Sequence, residues 1–340
     1  MSTDLRQVLA ELPKIDLHRH LEGSIRPATI AEICRAHSVE LPCDLDELSS
    51  LLITSEPADD LAGFLTPFRL IKFAFVNGEA VSRIAFEVIE DAWLDNVQYL
   101  ELRFSPAFMA FHHHLTLSEV ADGITEGVAL AARRFPTVVK LIPSISRDCS
   151  AESLGVPWPL PEEIARLAVD YSDRGVVGFD LSGIESGFPP ELFIKPFKIA
   201  RDAGLGITVH AGEDAGPESI RGAIEHLGAV RIGHGVRIVQ DEEVLRLAMD
   251  KGVILEICPT SNVLTHAVES LESHPVRQLY DAGLPITINT DDPAVCGITL
   301  TDEYMLLVER FGFTLAEIEG LIETARHAAF NMECGGLTPL

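Results

Sequence analysis

Histidines and carboxylates recur in this chain where short apolar runs end. I-D-L-H-R-H-L-E-G-S puts His18 and His20 two residues apart, the spacing that turns both imidazoles to one face of a strand. T-V-H-A-G-E gives His210, with Glu213 three residues on. R-I-G-H-G gives His234 between two glycines that would let backbone or substrate come close, and T-I-N-T-D-D-P gives the adjacent pair Asp291 and Asp292. Three imidazoles, His18, His20 and His210, with the carboxylate of Asp291 make an N3O set suited to Zn2+, one ion per chain, with room for a water. Such an ion acidifies water near neutral pH, so the metal would be catalytic and not structural. Glu213 is then left as a non-ligand acid or base, His234 as a group that orients or deprotonates the water, and Asp292 as a hydrogen-bonding group for the substrate. Taken singly these residues are ordinary, because an acidic pair is usually a solvated turn. Their placement at four strand ends makes the case for chemistry.

The elements that must hold them follow from the same apolar runs. Segments 14–18, 99–104, 139–144, 177–182, 206–211, 231–234, 253–257 and 285–289 read as strands, each followed by a turn and a stretch with helical spacing. Eight βα units predict a closed (β/α)8 TIM barrel, an α/β fold that builds its sites at the C-terminal strand ends. An open doubly wound sheet would carry a Gly-rich fingerprint after an early strand, and neither G-x-G-x-x-G nor G-x-x-x-x-G-K-[ST] occurs. The interval 21–98 is too long for one crossover and predicts extra helices inserted after the first strand, with helical spacing at 28–36 and 79–96. Between them, 59–76 is rich in Phe and Leu and predicts a lid over an aromatic ligand at the barrel mouth. With no repeat and no linker, residues 1–340 read as one domain.

At 340 residues and 47% hydrophobic the chain can bury a large core, and its formal charge of -26 disfavours nucleic acid and anionic membrane surfaces as partners. No window approaches the length of an apolar membrane span, and the first residues lack the pattern of a signal peptide. Cys34, Cys43, Cys149, Cys258, Cys296 and Cys334 have no C-x-x-C spacing, so reduced thiols in a cytoplasmic protein are expected. The zinc signature of polynucleotide deaminases, H-x-E with P-C-x-x-C, does not occur. His112, His113 and His114 fall in what reads as a long loop after the second strand, exposed or at the mouth. Glu101 and Arg103 share a strand face and are expected to pair inside the barrel.

P-K-I-D-L-H-R-H-L-E-G-S, H-A-G-E, R-I-G-H-G and T-I-N-T-D-D-P, joined in order by E-L-R-F-S-P, G-F-D-L-S-G, I-C-P-T-S-N and L-T-D-E-Y, resemble the adenosine deaminase family of the amidohydrolase superfamily over nearly the whole chain. The resemblance implies a mononuclear zinc barrel that replaces the 6-amino group of a purine nucleoside with oxygen and releases ammonia. It implies that His18, His20, His210 and Asp291 hold zinc and that Glu213 protonates purine N1. His234 and Asp291 would position the attacking water, Asp292 would face N7, the backbone of Gly183 would face N3, and His20 and Glu22 would also meet substrate. Two features depart from the family's pattern. Glu22 stands where Asp typically meets the ribose 5′-hydroxyl, and S-G-I-E-S at 182–186 replaces the usual A-G-D-E. One extra methylene matters to a polar contact in a dry pocket. Adenosine or 2′-deoxyadenosine is therefore the first expectation, beside a 5′-modified adenosine such as aminodeoxyfutalosine or free adenine. A catalytically idle nucleoside-binding protein is the non-enzymatic alternative, and the presence of Glu213 argues against it.

Overall fold

A computed structural model of the protein describes residues 2–147 and 161–331. Its strands are β1 (Lys14–His20), β2 (Val97–Phe104), β3 (Val138–Ser146), β4 (Gly178–Ser182), β5 (Gly206–Ala211), β6 (Arg231–His234), β7 (Ile254–Ile257) and β8 (Ile286–Ile288). They pair in parallel in chain order. Helices cover such a sheet from outside, so the strands read as nearly continuous apolar runs. The ends of the sheet meet through a bridge between Arg19 and Asp291. There the Asp291 N–H donates to the His18 carbonyl and the His20 N–H to the Asp291 carbonyl, both at 2.8 Å. The expected (β/α)8 barrel is the fold, nearly closed, and its seam runs through three of the candidate metal-binding residues, His18, His20 and Asp291.

The insertion after β1 is helical, as expected: Pro27–Ala36, Leu45–Leu52, Leu61–Phe64, Phe68–Ile71 and Gly78–Leu94. Asp44, Asp60 and Asn77 start three of these helices, each side chain accepting a backbone N–H from the first turn. The longest buries Val81, Ile84, Ala85, Val88 and Ile89 at helical spacing. After β2, His112, His113 and His114 lie outside the helices as expected, in a connection of a few residues and not a long loop. P-A-F-M-A-F before them is the helix Pro106–Phe111, because Ser105 caps it and Pro106 occupies the first turn, where its missing N–H costs nothing. Among the described residues, no helix is long and apolar enough to cross a membrane.

Inside the barrel, where aliphatic layers are usual, lies a buried ionic network. Arg103 is completely buried and sits between Glu256, bonded to Nη2, and Asp180, 3.2 Å from Nη1. Arg231 bonds Glu101 and lies 2.7 Å from Glu256. Glu101 and Arg103 therefore do not pair with each other as expected. Residues two apart on one strand stand at successive levels of the barrel, and each finds its partner across the interior, with Glu256 joining the two pairs. Arg231 closes the bottom, its guanidinium 3.7 Å above the Phe330 ring.

Candidate active site

At the C-terminal end of the barrel the imidazoles of His18, His20 and His210 converge. His210 Nε2 is 3.1 Å from both His18 Nε2 and His20 Nε2, and Asp291 Oδ1 lies 3.3 Å from the first of these nitrogens and 3.4 Å from the second. Tetrahedral ligands ~2.0–2.1 Å from a zinc ion would stand ~3.3–3.4 Å apart, so these spacings fit such an ion. The far ring nitrogens fix the tautomers. His18 Nδ1 bonds Glu256 at 2.9 Å and His210 Nδ1 bonds Asp180 at 3.1 Å, which leaves the Nε2 lone pairs directed at the common centre.

The local charges agree with a cation there. Burial and Arg103 push the His18 imidazole down, yet hydrogen bonds to the Asp291 and Glu256 carboxylates leave it above its ordinary value. Burial, then the neighbouring imidazoles, push His20 down to about 3 against the pull of Asp291. Burial raises Asp291, but its bond to His18 and the other histidines hold it well below the usual carboxylate range. The carboxylates of Asp180, Glu256 and Asp291 face the histidines, with Arg103 and Arg231 behind them, and three converging imidazoles cannot all carry protons. A metal ion balances the set where protons would repel one another.

Asp291 and Asp292 both reach this site, though not by strand alternation. β8 ends at Ile288, and Asp291 adopts φ +62°, a left-handed conformation uncommon for a side-chain-bearing residue. His234 shares it, also at φ +62°. Strained backbone at two facing site residues marks positions over-determined by their surroundings. Ser261 Oγ donates to Asp291 Oδ2 at 2.7 Å, and His234 Nε2 lies 3.9 Å from that oxygen and 3.5 Å from Glu213 Oε2. Gly233, beside His234, makes room for the His18 ring and not for substrate, since a Cβ there would stand 2.8 Å from His18 Cε1.

Beside the cluster is a cavity of ≈ 390 Å³ lined by His20, Glu22, Gly183, His210, Glu213, His234, Asp291 and Asp292. Its outer wall is Leu61, Phe64, Leu65 and Phe68 from the inserted helices, as expected for a lid, joined by Phe108 and Phe111 from the helix after β2. His112 packs edge-on against Phe73 at 4.6 Å and His113 bonds the Phe73 carbonyl, so this histidine run braces the mouth. Glu213 is buried, and burial followed by the Asp291 charge raises its carboxyl to about 8. It is an acid that keeps its proton at neutral pH. Burial and Asp291 also hold Asp292 well above the usual range, and its Oδ1 has no partner. Glu22 accepts the Ser105 N–H through Oε1 at 2.6 Å, while its Oε2 is buried without a partner and burial raises the group to about 7. Two unpartnered carboxyl oxygens in one cavity are places where a ligand's polar groups can bind.

Gly23 sets the position of Asp292. A Cβ at residue 23 would lie 1.7 Å from Asp292 Oδ1. Gly23→Ala should therefore displace that carboxyl and lower kcat/KM by ~10–100-fold with the secondary structure unchanged. Steady-state kinetics and circular dichroism check this, and unchanged kinetics would mean that the position of Asp292 is not critical.

Sequence reading missed the residues behind the site: Asp180, Glu256, Ser261, Asn262 and Glu185. Asn262 bonds His234 Nδ1 at 2.9 Å. Glu185, in the atypical S-G-I-E-S segment, accepts the N–H groups of Gly212, Glu213 and Asp214 at 3.0, 2.8 and 2.9 Å and so fixes the H-A-G-E turn. A charged residue inside an apolar strand, as in I-L-E-I or F-D-L, was the available signal.

The family model described as adenosine deaminase matches residues 13–334. Adenosine deaminase of Pectobacterium atrosepticum is 40% identical over 323 residues, covering 95% of this chain and 94% of that protein. The solved structure of adenine deaminase from Arthrobacter aurescens is similar with a TM-score of 0.85 at 27% identity, covering 94% of each chain. An amidohydrolase from Burkholderia ambifaria solved with bound Zn is similar with a TM-score of 0.81 at 25% identity, covering 96% of this chain and 88% of that one.

Proposed function

Because this chain belongs to the adenosine deaminase family and is a metal-dependent aminohydrolase, we propose that it hydrolyses adenosine or 2′-deoxyadenosine to inosine or 2′-deoxyinosine and ammonia, with residues 1–340 forming one catalytic barrel. The observation that carries this reading is the buried Glu213, a carboxyl raised to about 8, in the same cavity as the converging histidines. A hydrolase of amides or phosphoesters has no use for an acid aimed at a ring nitrogen.

His18, His20, His210 and Asp291 would hold one zinc ion per chain. When bound, zinc makes water acidic near neutral pH. The lid of Phe64, Phe68, Phe108 and Phe111 excludes bulk solvent and covers the purine ring. Glu213 gives its proton to N1, which draws electron density from C6 and opens that carbon to attack. His234 and Asp291 hold the attacking water over C6. Asp292, kept protonated, donates to N7, and the backbone of Gly183 meets N3. His20 and Glu22 flank the substrate, Glu22 on its outer, ribose side. The C6–N bond then breaks, ammonia leaves and the ring keeps the oxygen. Cys34, Cys43, Cys258 and Cys296 are free thiols, which supports a cytoplasmic setting, and the partner is a small purine nucleoside.

The test is turnover by metal-replete protein of adenosine, 2′-deoxyadenosine, adenine and 5′-substituted adenosines, followed by the ultraviolet change of the purine. Adenosine or its 2′-deoxy form should give the highest kcat/KM. No turnover of any member would overturn the assignment, and preference for adenine or a 5′-substituted substrate would move it to that substrate. Glu22→Asp in the same screen should change the ranking on the ribose side by ~10-fold or more while leaving the purine requirement intact.

A further inference from the structure

His274, in the connection between β7 and β8 and 6% exposed, lies at the start of a hydrogen-bonded chain that ends on His234. The Val276 N–H donates to His274 Nδ1 at 3.1 Å. A backbone amide can only donate, so Nδ1 is an acceptor and the ring hydrogen of His274 resides on Nε2. His274 Nε2 meets Asn262 Oδ1 at 3.2 Å and must donate to it. That contact turns the NH2 of Asn262 toward His234, where it donates to Nδ1 at 2.9 Å. His234 Nδ1 is thereby an acceptor, and its hydrogen resides on Nε2, facing Glu213 and Asp291. Each step follows from the one before, beginning with a donor whose direction is fixed.

We propose that His274 and Asn262 are positioning residues that lock His234 as the Nε2–H tautomer, so that His234 donates a hydrogen bond to the attacking water and does not accept its proton. The inference rests on the reading of His234 as the residue that faces that water. It divides the labour at the site. With no lone pair on His234 Nε2, the proton acceptor for the water is a carboxylate; of the two that face this nitrogen Glu213 is the proton donor to the purine, which leaves Asp291. Both positioning residues are buried, His274 packs against the Phe311 ring at 5.7 Å, and burial pushes its imidazole down to about 4. The ring is therefore neutral and carries one hydrogen across the working range of pH.

The test reads the tautomer directly. In metal-replete protein with 15N-labelled histidine, His234 should show a protonated Nε2 and an unprotonated Nδ1. Asn262→Asp replaces the donor with an acceptor and should invert the pattern. His274→Phe keeps a ring against Phe311 but removes the donor that orients Asn262, and should allow both tautomers. Asn262→Asp should lower kcat by ~10²-fold or more with KM within about twofold, and His274→Phe should lower it less, because the correct tautomer remains accessible. A protonated Nδ1 in the wild-type protein would overturn the proposal, whether or not the variants fold. So would Asn262→Asp with an inverted tautomer and wild-type kcat. If the wild-type protein deaminated no purine, the functional assignment would fail while the tautomer remained measurable.

Discussion

Glu213→Gln should retain the fold and the bound metal and lose ~10²–10⁴-fold in kcat. The amide preserves the size of the side chain and can still hydrogen-bond a ring nitrogen, but it cannot give up a proton. Loss confined to kcat would identify a contribution made in the transition state and not in ground-state binding. The wild-type carboxyl is suited to donation because burial, helped by Asp291, raises it to about 8. The donor form therefore exists below that value and is lost as pH rises through it, giving an alkaline fall in activity. A cation at the histidine cluster offsets the Asp291 charge and draws this limb to about 8 or below. Glu213→Gln should remove the limb from what activity remains. Purine turnover across pH, with metal content measured on the same samples, checks both parts, and near-normal kcat in the metal-replete variant would exclude Glu213 as the proton donor.

His18→Ala should lose both metal and turnover, the largest single loss expected of a ligand substitution. His18 faces His210 and Asp291 through Nε2 and Glu256 through Nδ1, so its removal deletes a ligand and opens a space against a buried carboxylate. The fold should survive, because Glu256 keeps its contacts to Arg103, Arg231 and Thr208. Glu256→Gln is the graded comparison. It leaves the ligand in place but weakens the bond that orients it, and metal affinity should fall by only ~10–100-fold. Metal analysis after dialysis at a fixed free-zinc concentration separates these cases. A full equivalent of zinc retained by His18→Ala would place the metal elsewhere.

The strands and the converging groups were legible in the sequence because both depend on local order. An apolar run ending in His or Asp states its own position in a barrel, and His18 with His20 state their common face by being two residues apart. Asp180 and Glu256 gave no such reading, because their meaning comes from His210 and His18 on other strands. The lone acid in I-L-E-I announces only that it needs a partner. The geometry of Asp291 was concealed for a related reason. Adjacent carboxylates suggest alternation, and only the three-dimensional seam between β8 and β1 reveals the left-handed turn that brings both into the cavity. Asn262 and Ser261 belonged to a recognisable segment, I-C-P-T-S-N, but their work is set by bonds to His234 and Asp291 that no spacing rule describes.

Arg103 is the centre of the ionic interior, and its position bears on how this protein can change. One of its guanidinium nitrogens faces Asp180, which orients His210, and another faces Glu256, which orients His18. A substitution of Arg103 would take away the guanidinium beside Asp180 and leave Glu256 with that of Arg231 alone, and neutralising either carboxylate would change the charge that Arg103 balances for the other. The three residues are thus coupled, so that an exchange of one reaches both histidines. Redesign of the site for a chosen ion therefore has to include Arg103, although Arg103 is not among the residues that would hold it.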